Sequence, residues 1–203
     1  MSGGAPAVLL MAPRASPEDD AGLEQLLGPE GAAELRGALF AHAEAWARKV
    51  APDGFQVADG GGPLSDEISR IYATHEGPLL VVWPWLARFR PEDAVGALDD
   101  LAAGCDLVLG PLIDGGLYLL GLAGPLPVLL TISEERWQDP DVMATGFATA
   151  SDAGLEVGVL RAERALRSAA DVRAALADPL LPEEISRILA RGEGTGPARG
   201  DLT

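Results

Sequence analysis

The sequence contains very little cysteine, lysine and histidine. It has one cysteine (Cys105), one lysine (Lys49) and two histidines among 203 residues. A single cysteine excludes an internal disulfide and any cysteine cluster that would bind a metal ion. With one lysine, contacts to a phosphate group must come from arginine, from backbone N–H groups or from a bound metal ion.

Long apolar runs and a leader-like beginning are also missing. No apolar run approaches the length that a membrane span needs. Residues 1–4 carry no basic side chain ahead of the first apolar run, so a secretory signal is not expected. These absences favour a cytoplasmic protein that does not span a membrane.

The charge balance excludes several classes of partner. Acidic residues outnumber basic ones by 31 to 15, which gives a formal net charge of −16. A strongly acidic chain is repelled by nucleic acid and by anionic membrane surfaces, so neither is an expected partner. The same charge is unfavourable for binding a diphosphate, which needs cations around it.

Apolar runs alternate with helical patterns along the whole chain. Continuous apolar runs are typical of parallel strands covered on both faces. The alternation predicts an α/β three-layer sandwich with a mostly parallel sheet. Residues 1–191 form one predicted domain, and residues 192–203 are predicted to be disordered because they are poor in apolar residues. The predicted strands are 7–11, 55–58, 79–83, 107–109, 117–122 and 155–160, and the predicted helices are 26–50, 65–75, 91–103, 139–153, 168–176 and 182–190.

One segment, residues 105–122, carries the strongest chemical signal. A short apolar run ends at Gly110-Pro111, a loop follows at Asp114-Gly115-Gly116, and a second apolar run begins at once. A strand followed by a glycine-rich loop can present one carboxylate and bare backbone to a ligand at the edge of a sheet. Alternatively, the loop is a tight turn in which Asp114 is only a turn-forming residue.

Residues 106–122 resemble the signature of a small bacterial family of GT-A-type nucleotide-diphospho-sugar transferases. Members of this family carry descriptions such as arsenosugar biosynthesis glycosyltransferase-like. Residues 27–35 are similar to its helix-opening segment, and Trp137 with the helix after it is similar to a downstream stretch. The resemblance covers roughly residues 7–177. It implies a GT-A fold, a nucleotide-sugar partner and Mg²⁺ or Mn²⁺ as the metal.

The chain departs from the family pattern at two positions that would handle a diphosphate. Where the family has a lysine- and arginine-rich loop after the first strand, this chain has Glu18, Asp19 and Asp20. Where the family has acids after the strand at 79–83, this chain has Val82 and Trp85. A valine side chain has no oxygen with which to bind a hard cation.

The third departure follows the last predicted strand. The family has an Asp-x-Asp-Thr-x-x-Asp segment there, and only Asp171 matches its acids. The start of a helix gives Asp171 a structural role. Together the three departures indicate that the metal and diphosphate site is lost, so no cofactor and no metal ligands are expected. In this chain the residues at the third family segment are Ala165, Leu166, Arg167, Ser168, Ala169, Ala170 and Asp171.

A small set of candidate site residues remains after these departures. Asp114 is the candidate catalytic residue, as a base or as an acceptor for a sugar hydroxyl. Trp85 is able to stack on a flat ligand, although Trp83 and Trp85 are also explained by core packing or by an interface patch. The candidate ligand-binding residues are Arg14, Trp85, Gly115, Gly116 and Tyr118.

Three functional hypotheses follow from these residues. The first is a glycosyltransferase-like protein that lacks the usual metal-dependent transfer activity. The second is an active glycosyltransferase or nucleotidyltransferase with a rearranged site, in which Arg14, Arg88 or Arg90 replaces the missing lysine and Mg²⁺ or Mn²⁺ is bound. The third is a protein-interaction module that uses Trp83 and Trp85. The sequence does not decide whether the protein forms a homo-oligomer.

Overall fold

The computed structural model describes residues 4–12, 17–58, 63–133 and 135–193. Arg14 and the C-terminal residues 194–203 therefore lie outside the described part of the chain. Within that part the chain forms six strands. These are β1 (Ala7–Leu10), β2 (Phe55–Val57), β3 (Leu79–Val82), β4 (Leu107–Pro111), β5 (Leu117–Leu122) and β6 (Val157–Val159).

The six strands form one sheet in the order β2-β1-β3-β5-β4-β6. β1 pairs in parallel with β2 and β3, and β4 pairs in parallel with β6. β5 is antiparallel to both of its neighbours, β3 and β4. Since β5 alone runs in the opposite direction, the predicted mostly parallel sheet is confirmed.

Helices cover both faces of the sheet. Leu120 of β5 lines a small space together with Ile68, whereas a Cβ added at Gly121 would lie 3.3 Å from Leu101. Adjacent residues of a strand point to opposite faces, so the helices that carry Ile68 and Leu101 lie on opposite sides. The helices are α1 (Pro17–Val50), α2 (Leu64–Tyr72), α3 (Pro91–Ala103), α4 (Val142–Ala153), α5 (Ala169–Ala175) and α6 (Glu183–Glu193).

The first helix begins earlier than the sequence predicts. α1 starts at Pro17, so Glu18, Asp19 and Asp20 lie in its first turn and not in a loop. Carboxylates at this position interact favourably with the positive end of the helix dipole, which explains why the segment is helical. The helix is interrupted at Gly28, which has φ 74° and ψ 162°.

The other differences concern the ends of elements. β4 extends to Pro111 and does not stop at Gly110, because the register shifts at this point and the carbonyl of Pro111 accepts a hydrogen bond from Glu163 N. α6 extends to Glu193, so the first two residues of the predicted tail are helical. α3 spans Pro91–Ala103 as predicted.

The strand directions bring several loops to one edge of the sheet. The parallel strands β1, β3, β4 and β6 all end there, and β5 begins there. In open α/β sheets this carboxyl edge is where ligands bind. The segments that follow β3, β4 and β6 therefore build the candidate site.

Among the helices of residues 4–12, 17–58, 63–133 and 135–193, none combines the length and the apolar composition that crossing a membrane requires.

Candidate functional site

The loop between β4 and β5 holds Asp114 at the carboxyl edge of the sheet. The loop is closed by hydrogen bonds from Leu112 N to Gly116 O (3.0 Å) and from Gly115 N to Leu112 O (3.2 Å). Gly115 and Gly116 have positive φ angles of 92° and 83°. Glycine adopts these angles without the steric cost of a Cβ, so the two glycines allow the loop to turn back into β5.

The two glycines also lie against a neighbouring segment of the chain. Gly116 N donates to Asp139 O at 3.0 Å. A Cβ added at Gly115 would lie only 2.4 Å from the Cα of Pro140. The backbone of this loop is thus in close contact with protein, and a ligand contact at Gly115 or Gly116 stays a prediction.

Asp171 lies beside Asp114 and forms a hydrogen-bonded carboxyl pair with it. Asp171 is buried and caps α5: its Oδ2 accepts from the backbone N of Ser168 at 2.9 Å and from the Ser168 hydroxyl at 2.8 Å. The predicted structural role of Asp171 is therefore confirmed. Its pairing with Asp114 was not anticipated, because the two residues are 57 positions apart in the sequence.

The carboxyl pair has a direct electrostatic consequence. The hydrogen bond to Asp171 raises the pKa of Asp114 above its ordinary value, and burial and the negative charge of Asp171 raise it further. The positive charges of Arg164 and Arg167 oppose this increase. Because two carboxylates repel each other, the negative charge of Asp171 disfavours the charged form of Asp114. The site therefore contains a group that can hold and release a proton.

Arg167 links the glycine loop to the segment that follows β3. Its guanidinium donates to Gly115 O at 2.9 Å and to the Gln138 side chain at 3.3 Å. Gln138 also accepts from the indole N–H of Trp85 at 3.1 Å and donates to Leu117 O at 3.2 Å. Sequence reasoning missed Gln138 and the role of Arg167. Arg167 could have been found, since it occupies the position of the second acid in the family segment.

The other aromatic candidates are buried in the apolar core. Tyr118 is fully buried, and its hydroxyl donates to Arg161 O at 3.3 Å. Burial raises the pKa of the Tyr118 hydroxyl. Trp83 and Trp85 are also buried. Of the two alternatives for these tryptophans, core packing holds, because both belong to the main apolar core, and their burial opposes an interface patch.

The described residues do not fit a divalent metal ion at this edge. The parts of the chain that the structure describes contain no group of three or more histidine, cysteine, aspartate or glutamate side chains arranged to hold one. Val82, at the end of β3, is fully buried and apolar. The Arg167 guanidinium beside Asp114 would repel a cation, and the Oδ2 of Asp171 is already used for capping.

Substitution at Asp171 tests the carboxyl pair. In ¹³C-detected titrations we expect the Asp114 carboxyl to have a pKa above the ordinary value of about 3.9. Asp171→Asn removes the neighbouring negative charge and is expected to lower that pKa. Asp152→Asn, at an exposed position of α4, is the control and should leave the Asp114 pKa unchanged. An Asp114 pKa at or below the ordinary value in the unmodified protein would contradict the pairing.

The sign of the stability effect follows from the same pKa increase. A carboxyl whose pKa is raised by folding favours the folded state in its protonated form. This contribution is complete below the ordinary pKa and is lost as the pH rises through the raised pKa of Asp114. Replacing Asp114 by asparagine should therefore remove this pH-dependent loss of stability, which chemical unfolding at several pH values would measure.

With this geometry established, comparison with solved structures identifies the fold. A protein of Desulfovibrio desulfuricans G20, proposed to be a nucleotide-diphospho-sugar transferase and solved by crystallography, matches the chain with a TM-score of 0.71 and 17% sequence identity. The match covers 94% of this chain and 96% of that chain. At this identity the likeness concerns the fold alone. The chain therefore shares the fold of that protein.

Comparison of the sequence adds no relative to this result. No family model matches the chain, and no curated protein matches it.

Proposed function

We propose that this protein is a glycosyltransferase-like, divergent relative of the arsenosugar-type family that binds a nucleotide-sugar without the usual metal-dependent transfer. The observation that carries the proposal is the position of Arg167. Its guanidinium donates to Gly115 O of the glycine loop at 2.9 Å. Its positive charge also favours the charged form of Asp114. It stands where the resembling family has an acid, so a permanent positive charge replaces a group that would bind a cation.

A fixed guanidinium supplies positive charge at this edge of an acidic chain. Arginine presents donors in a planar fork that matches the oxygens of a phosphate group. Arg167 is half-buried and is held by Gly115 O and Gln138, so its orientation is set before a ligand arrives. Because the charge is permanent, phosphate binding at this edge would not require a divalent ion.

Thermal unfolding with a panel of nucleotide-sugars tests this proposal. A ligand at a hundred times its Kd adds about 2.7 kcal/mol, or roughly 5–10 °C for a chain of this size. We expect the same increase in Tm with EDTA as with Mg²⁺ or Mn²⁺, and a smaller increase for Arg167→Gln. Arg187→Gln, an exposed arginine on α6, is the matched control.

Two results would count against the proposal. An increase in Tm that appears only with Mg²⁺ or Mn²⁺ would restore the metal-dependent chemistry of the fold family. If no nucleotide-sugar changes the Tm, the nucleotide-sugar partner is wrong, and a protein-interaction role, without the tryptophan patch, becomes the better hypothesis.

A second candidate, an active transferase with a rearranged site, is favoured by the Asp114–Asp171 pair. A carboxyl whose pKa is raised above its ordinary value is better suited to exchange a proton with a sugar hydroxyl. Asp114 is exposed, so the molecule that would accept the sugar can reach it. Asp171 is buried. If the protein transfers or hydrolyses a nucleotide-sugar in EDTA, Asp114→Asn should abolish that activity and leave nucleotide-sugar binding unchanged.

A further inference from the structure

A groove rich in arginine lies beside the site and is not used by the proposed function. It has a volume of about 300 Å³. The segments that follow β3 and β6 form two of its walls, and the connection between α5 and α6 forms the third. Its charged lining consists of Arg88, Arg90, Arg161, Arg164, Glu163 and Asp178.

Two of these four arginines are already neutralised. Arg90 forms ion pairs with Asp93 and Glu163, and Arg161 pairs with the same Glu163 at 2.7 Å. In contrast, neither Arg88 nor Arg164 forms an ion pair or a hydrogen bond within the residues that the structure describes. Both side chains belong to exposed residues, so their charges face solvent from the groove wall.

Most of the other exposed arginines within the described residues form ion pairs, with Arg173 as the exception. The chain carries 31 acidic residues against 15 basic ones, so acidic partners are abundant. Other arginines on exposed surfaces, such as Arg48 and Arg191, do form ion pairs, at 2.7 and 2.6 Å.

Arg164 interacts with the charge of Asp114, and Asp178 also lines the groove. However, neither Arg88 nor Arg164 has a direct ion-pair partner in the described part of the chain. The positive charges of the lining therefore outnumber its carboxylates, and the groove is a local positive region that attracts anions.

The groove continues into a more apolar depression of about 350 Å³. Both are lined by Ala87, Arg164, Asp178 and Leu181. The second depression adds Leu166 and the small side chains of Ala174 and Ala175. A charged region that leads into an apolar one suits a small molecule with an anionic group at one end and an apolar body at the other.

We propose that this groove binds a phosphate monoester with an apolar body, with Arg88 and Arg164 on the phosphate and Ala87, Leu166 and Leu181 on the body. A phosphate monoester carries close to two negative charges at neutral pH. Two unpaired guanidiniums match that charge, and their forked donors match its oxygens. A carboxylate has the same oxygen chemistry but only one charge, so it should bind more weakly.

The groove is adjacent to the carboxyl pair but separate from it. Arg164 lines the groove, and its positive charge also interacts with Asp114. Arg88 lines the groove only. Arg167, which the proposed nucleotide-sugar site requires, does not line it. Arg88→Gln and Arg167→Gln therefore distinguish the two sites, whereas Arg164→Gln changes a charge that both of them share.

Calorimetric titration with phenyl phosphate tests the groove. We expect saturable binding that weakens about tenfold or more in Arg88→Gln and in Arg164→Gln, as the loss of a charged hydrogen bond predicts. Arg187→Gln removes the same charge from α6 outside the groove and should not change the affinity. Because Arg88 and Arg164 are exposed and unpaired, the two variants should keep the Tm of the unmodified protein. Benzoate and inorganic phosphate, as further probes, should bind more weakly than phenyl phosphate.

Three outcomes would overturn the groove proposal. The first is no saturable binding of phenyl phosphate at millimolar concentration. The second is an affinity that falls in Arg167→Gln but not in Arg88→Gln, which would place the phosphate in the nucleotide-sugar site. The third is binding of benzoate or inorganic phosphate as strong as that of phenyl phosphate. Failure of the nucleotide-sugar panel alone would leave the groove proposal standing, since phenyl phosphate contains no nucleotide.

Discussion

Gly115→Ala is expected to destabilise the protein by roughly 2–6 kcal/mol, because a conformational strain and a steric clash act together. The φ angle of 92° is unfavourable for any residue with a Cβ, and that Cβ would lie 2.4 Å from the Cα of Pro140. The atom it meets belongs to the backbone, so no rotation of a side chain relieves the contact. Unfolding in urea would measure the loss.

Two other glycines separate the two contributions. Gly154 has a positive φ of 67° but open space around its Cβ position, so Gly154→Ala reports the strain alone. Gly124 has open space and no positive φ, so Gly124→Ala should be close to neutral. If Gly115→Ala costs no more than Gly154→Ala, the loop does not lie against Pro140 as described.

Tyr118→Ala is expected to cost roughly 3–5 kcal/mol, in the range of other buried aromatic truncations. The side chain is fully buried, and its ring contacts Phe89 edge-on with 6.3 Å between the ring centroids. Tyr118→Phe removes only the hydroxyl, which donates to Arg161 O, and should cost about 1 kcal/mol. Urea unfolding of both variants gives the comparison.

The same pair of variants examines the predicted ligand role of Tyr118. If Tyr118 serves packing, Tyr118→Phe should bind any nucleotide-sugar as the unmodified protein does. If Tyr118→Phe keeps its stability but loses nucleotide-sugar binding, the Tyr118 hydroxyl contacts the ligand.

The residues around Asp114 show why site prediction from the sequence was incomplete. The glycines at 115 and 116 marked the loop, because positive φ angles restrict the residue type locally. Gln138 and Arg167 carry no local signature of that kind, and their importance depends on bonds to Trp85 and Gly115 across the fold. Such contacts between distant segments leave no periodic pattern in one sequence.

The tryptophans illustrate the same limit. An apolar residue after a strand is equally compatible with a core, a ligand platform or an interface. Only the placement of Trp83 and Trp85 under neighbouring elements decides between these roles, and both proved to be buried in the core.

The sequence by itself determined the α/β architecture and the position of the glycine loop, because apolar periodicity and glycine torsions are local properties of the chain. The tertiary structure alone decided that Asp114 meets Asp171 and that Arg167 contacts the loop. It also decided that Arg88 and Arg164 share one groove. These charges lie far apart in the sequence, and their interaction depends on distance through space, which only the folded sheet sets.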